Sequence, residues 1–136
     1  MTTTNHEERR RPSPHSNTRR RDMFRAGTVV FAVAVAWFAF TPATGAESGL
    51  PWDKANHAVA FLTWTLLAGC GWPRAGVARI AVVMLGLGIG IELIQALPAI
   101  RRDADVWDVV ADMVGFAMGW GALVGLALRR RLGLTG

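Results

Sequence analysis

The chain has 136 residues, 51% of them apolar, with a formal net charge of +5 and an isoelectric point near 11.2. That length allows one domain. The apolar residues come in long blocks, with charge confined to the ends and to short gaps, which excludes an ordinary soluble fold and describes a small polytopic membrane protein. The arginines flank apolar blocks and no soluble module is left to carry them, so the basic balance is not read as nucleic-acid binding. The single cysteine, Cys70, lies in an apolar block, so an intramolecular disulfide is excluded and a packing role is expected.

Residues 1–22 are polar and lack a hydrophobic period, with basic runs at Arg9–Arg11 and Arg19–Arg21. This segment reads as a disordered basic cytoplasmic tail that touches anionic lipid. The first apolar block runs from Met23 to Pro42. A retained helix is the favoured reading. A cleaved secretory signal is the rival, because Arg20-Arg21 precede the block and Thr44-Gly45-Ala46 resembles a small-residue cleavage site. A loop with Pro42, Gly45, Gly49 and Pro51 leads to a second block from Asp53 to about Trp72. A tight turn, Trp72 to Arg79, opens the third block, which ends at Pro98. After the loop Ile100–Asp105 the fourth block, Val106 to Leu128, closes on Arg129-Arg130-Arg131. Residues 23–131 are therefore expected to form an all-α integral membrane bundle of four transmembrane helices. Twelve arginines fall on the side of the two termini and the Trp72–Arg79 turn, against Lys54, Arg101 and Arg102 on the other. The positive-inside rule then places both termini in the cytoplasm.

Glu92 stands inside the third block, where a charge costs roughly 2.5–3.5 kcal/mol on insertion scales. Other polar residues converge on its depth. Asp53 and His57 are four apart on one side of the second helix. Gly88, Glu92, Gln95 and Ala96 form a stripe on the third helix. Asp105, Asp108, Asp112, Gly115, Gly119 and Ala122 form an acidic stripe running into small residues on the fourth. Small residues let helices approach closely in lipid, so these stripes should face protein and leave Trp107, Val110, Val114 and Leu128 to lipid. The expected offset for Glu92 is charge pairing within the set Asp53, Lys54, His57, Arg101, Arg102, Asp108 and Asp112. His57, Glu92, Asp108 and Asp112 are the candidate catalytic residues, as acids or bases, with His57 alternatively a phosphate donor. Asp53, Lys54, Gln95 and Arg102 are the candidate substrate-binding residues, with the arginine suited to phosphate. Each has a plainer reading as an interhelical pair. Asp105 reads as a helix cap. No Cys/His cluster has zinc spacing, so no cofactor and no metal-ligand set is expected. Asp108 with Asp112 leaves three options open: a divalent cation, a shared proton, or a salt bridge to Arg102.

The order and spacing of Asp53-Lys54-x-x-His57-x-x-x-Phe61, of Glu92-x-x-Gln95, of Arg102 six residues before Asp108, and of Gly115-x-x-x-Gly119 resemble the VanZ-like family of small bacterial membrane proteins. The resemblance covers roughly residues 25–130. It implies a multi-pass protein of the bacterial inner membrane, acting on the cell envelope, and supplies a fold and a site rather than a reaction. The chain departs from the family pattern at Asp112, where the family usually has asparagine.

Two functional readings follow. In the first, a polar pocket at the outer leaflet binds or processes a membrane lipid or a lipid-linked cell-wall precursor, with catalysis and plain binding both open. In the second, the protein is a non-enzymatic scaffold or partner subunit whose polar cluster only specifies helix packing. A proton- or ion-coupled carrier is a third option and would require a homo-oligomer, since four helices are few for a transporter.

Overall fold

The computed structural model describes residues 14–41, 53–100 and 104–134. They form four α-helices: α1 (Pro14–Phe40), α2 (Asp53–Gly71), α3 (Val77–Gln95) and α4 (Val106–Arg131). The last three coincide with the blocks expected from sequence to within a few residues. The first does not. α1 takes in residues 14–22, which the sequence placed in a disordered tail. Two local contacts favour this extension. Asp22 and Arg25 pair at 3.1 Å one turn apart, and the Arg20 guanidinium lies 5.8 Å from the centre of the Phe24 ring. Arginine is also a good helix former, and adding turns to an existing helix avoids the cost of a new nucleus. The remainder of the tail, residues 1–13, lies outside the described residues.

The boundaries have local causes. At the α2–α3 turn Ala75 N–H donates to the Trp72 carbonyl at 2.9 Å, and Gly76 caps α3 in an extended conformation. α3 stops where Pro98 forbids continuation. Asp105 caps α4, its carboxylate accepting the Trp107 N–H at 2.9 Å, as its position in the sequence predicts.

Contacts fix the directions of the helices. α1 runs antiparallel to α2: Arg25 Nε donates to the Gly71 carbonyl at 3.1 Å at one end, and Phe31 packs edge-on to Trp64 further along. α2 and α4 run parallel and lie very close. A Cβ on Gly115 would overlap the Ala58 carbonyl, and one on Gly119 would stand 2.8 Å from the Leu62 oxygen. α3 runs antiparallel to α4, with Gly88 against Asp112. α2 is the central helix, touching α1, α3 and α4.

The interior is an inversion of a soluble core. Thr65 and Asp112 are fully buried, and Asp108, Gln95 and Glu92 nearly so, while Trp37, Val82 and Phe38 are about 70% exposed. An apolar surface of this extent has no place in water. It fits lipid, where small and polar residues mediate contacts between helices. Trp107, Val110, Val114 and Leu128 are exposed, as the α4 stripe predicts. Ala96 and Ala122, at the ends of their stripes, are exposed too. Three helices, α1, α3 and α4, are long and apolar enough to cross a membrane. A helix of 19 residues such as α3 spans about 28 Å, close to the roughly 30 Å of a hydrocarbon core. α2 has the same length but opens with Asp53, Lys54, Asn56 and His57, so its mean hydropathy is lower.

The helix directions also sort the charges. The carboxyl ends of α1 and α3 and the amino ends of α2 and α4 meet at one pole. That pole holds Asp53, Lys54, His57, Glu92, Asp105, Asp108 and Asp112. Arg20, Arg21, Arg25, Arg74, Arg79 and Arg129–Arg131 lie towards the other.

Candidate functional site

Asp105 is the hub of the acidic pole. Its carboxylate accepts from Lys54 Nζ at 2.5 Å as well as from Trp107 N–H, and its own N–H donates to Glu92 Oε2 at 2.8 Å. Three helices therefore meet at one residue. The Lys54 ammonium, and then the Trp107 N–H, hold the Asp105 carboxyl below the usual carboxylate range. Lys54 also donates to Asp108 Oδ1 at 2.9 Å, so one ammonium bridges two turns of α4.

His57 lies a turn deeper on α2. Its Nδ1 is hydrogen-bonded to Asp112 Oδ1 at 3.0 Å. This bond fixes the ring orientation and leaves Nε2 facing Asp108 Oδ2 at 3.8 Å, too far for a hydrogen bond. Asp53 lies on the same side: one ligand atom each from Asp53, His57 and Asp108 all fall within 4.8 Å of one another. Asp112 Oδ2 is buried against Gly88, and it has no hydrogen-bond partner among the described residues.

The expected partners of Glu92 are seen only in part, since Arg101 and Arg102 lie outside the described residues. Among the described residues Glu92 has no ion pair. Its hydrogen bond comes instead from the backbone of Asp105. The physical reason is the start of α4. A helix amino terminus offers N–H groups without intrahelical partners and the positive end of the dipole, and a buried carboxylate is a natural partner for both. The second oxygen, Oε1, is buried without a partner.

Gln95 does not join the cluster through its amide nitrogen, which donates to the Ala39 carbonyl at 3.3 Å and ties α3 to the end of α1. Arg102, the expected phosphate ligand, and Arg101 beside it lie outside the described residues. The structure thus brings together Asp53, Lys54, His57, Glu92, Asp108 and Asp112, and turns Gln95 towards α1.

Two residues do more than their sequence pattern announces. The position of Asp105 marks it as a cap, and nothing in the chain order shows that its N–H meets Glu92. Thr65, fully buried with Oγ1 unpartnered among the described residues, continues the face of Asp53, His57 and Phe61 at four-residue steps, and that spacing could have flagged it. Clefts large enough to measure open at the basic pole. One, of about 210 Å³, is lined by Arg21, Arg25, Trp72, Arg74 and Arg79.

No family model, no curated protein and no solved structure matches this chain.

Proposed function

We propose that this chain is a VanZ-like protein of the bacterial inner membrane whose acidic pole binds the polar head group of a lipid or lipid-linked cell-envelope precursor at the outer leaflet. In this reading α2 is the fourth span and both termini are cytoplasmic. α2 tolerates its polar opening because it is enclosed by the other three helices and meets little lipid. The segregation of arginines to the opposite pole supports the orientation. The packing of α1 along α2, and the Gln95 bond to Ala39 near its end, support a retained first helix. The arginine-lined cleft suits anionic lipid on the cytoplasmic side.

The observation that carries the proposal is the set of buried carboxylate oxygens left over after packing. Glu92 Oε1 and Asp112 Oδ2 are withdrawn from solvent with no partner among the described residues. A structure selected only for helix association would satisfy or delete such atoms, since each costs about 1–3 kcal/mol unpaired. Lipid extraction of purified protein followed by mass spectrometry tests the proposal. A stoichiometric lipid should accompany the native protein and be lost from Glu92→Gln, which keeps an acceptor for the Asp105 N–H. Native protein purified with bulk lipid only would remove the reading.

One observation favours the scaffold alternative. The polar bonds of the pole each join two helices: Lys54 and His57 to α4, Glu92 to the start of α4, and Gln95 to α1. In that case Glu92→Ala and His57→Ala lower thermal stability in detergent and change nothing else.

A further inference from the structure

We propose that Asp53, His57 and Asp108 form a binding site for one divalent first-row cation, with Asp112 positioning the histidine.

Three independent features support it. The first is the gap between His57 Nε2 and Asp108 Oδ2. At 3.8 Å it is too long for a hydrogen bond. Two ligands about 2.1 Å from a shared ion stand roughly 3.4 Å apart at the tetrahedral angle, so a small inward movement of both groups closes the site around a cation. Asp53 lies within reach of both, with the three ligand atoms inside 4.8 Å. The second is the state of the ring. Nδ1 is hydrogen-bonded to Asp112 Oδ1 at 3.0 Å, so that in the tautomer with its proton on Nδ1 the Nε2 lone pair faces the gap. This carboxylate–histidine arrangement is how metal-binding histidines are ordinarily oriented. The third is charge. Among the described residues the acidic pole holds five carboxyl groups, Asp53, Glu92, Asp105, Asp108 and Asp112, against one ammonium, Lys54, and the His57 imidazole. Lys54 is committed to Asp105 and to Asp108 Oδ1, leaving Asp108 Oδ2 free to face the gap. Glu92, nearly buried, keeps Oε1 unpartnered among the described residues. A cation in the gap would offset part of the negative charge that these residues place around it.

One imidazole and two carboxylates suit Mn²⁺ or Zn²⁺ better than Mg²⁺ or Ca²⁺, which prefer all-oxygen sites. Three protein ligands leave coordination positions open for an oxygen of a phosphate head group. This use of the cation rests on the function proposed above; the cation site itself does not.

The test is a Mn²⁺ titration of chelator-stripped, detergent-purified protein followed by electron paramagnetic resonance, with Zn²⁺ as competitor. One Mn²⁺ should bind per chain. Asp53→Asn and Asp108→Asn should abolish binding over the same range, and Asp112→Asn, which keeps all three ligands, should weaken it about 10- to 100-fold. Asp53 is exposed, so Asp53→Asn remains decisive if Asp108→Asn does not fold. Absence of stoichiometric Mn²⁺ or Zn²⁺ binding, or equal binding in Asp53→Asn, overturns the site. Lipid analysis of the same samples separates the two ideas. Metal without lipid removes the head-group reading and leaves the cation, and lipid without metal does the reverse.

Discussion

Glu92 owes its place to a backbone amide. The Asp105 N–H at 2.8 Å comes from the first turn of α4, so the acid and the helix end stabilise each other. Glu92→Ala should therefore lower the melting temperature in detergent, by the equivalent of about 1–3 kcal/mol, whereas Glu92→Gln should leave it nearly unchanged. Asp112 makes the corresponding bond to His57 on α2. Asp112→Ala should destabilise to a similar degree, and Asp112→Asn, which retains an acceptor, much less, as read by the same melts. Asp105 supplies a pH dependence. Its folded-state pKa lies below the ordinary aspartate value of about 3.9. Its contribution is therefore complete above that value and is lost as the pH falls through the lower, folded one. Thermal melts taken across pH 3–6 should show this loss only at the acid end, and Lys54→Met should flatten it.

The contact between α2 and α4 depends on atoms that are not there. Gly115 and Gly119 sit against backbone carbonyls of α2, Ala58 and Leu62, which cannot rotate away as a side chain can. Gly115→Ala should force the helices apart and cost about 1–3 kcal/mol in detergent melts. Gly121→Ala, with nothing within 4 Å of the added methyl group, is the control and should be neutral or stabilising. The parallel course of these two helices also brings the amino-terminal turns of α2 and α4 side by side, and so brings Lys54 to Asp105 and Asp108. α1 differs from expectation by its early start at Pro14, because residue-by-residue polarity marks the limit of an apolar block, and a helix can continue beyond it.

At the scale of the molecule, the charges form an acidic pole and a basic pole separated by an apolar belt. Single-cysteine labelling tests the orientation proposed from this. In a Cys70→Ala background, Ala104→Cys near the acidic pole should react in intact cells with a membrane-impermeant maleimide. Leu134→Cys, beyond Arg131 at the basic end, should react only after permeabilisation. The opposite pattern would invert the topology and move the acidic site to the cytoplasmic face.

The helices and their faces follow from local sequence alone. Apolar block length sets the element, Pro98 and Asp105 mark its limits, and the three-and-four spacing of Asp108, Asp112, Gly115 and Gly119 places them on one buried stripe. That stripe was legible because helical periodicity depends only on local geometry. The partners within it were not. Whether Glu92 meets a cation or an amide, whether Gln95 turns to the cluster or to Ala39, and which oxygen of Asp108 Lys54 takes depend on the axial shift and rotation of one helix against another. Close packing at Gly88, Gly115 and Gly119 sets those offsets to within an ångström or so. Hydrogen bonds and ion pairs fall off over that same distance, so the choice of partner rests on how the helices pack.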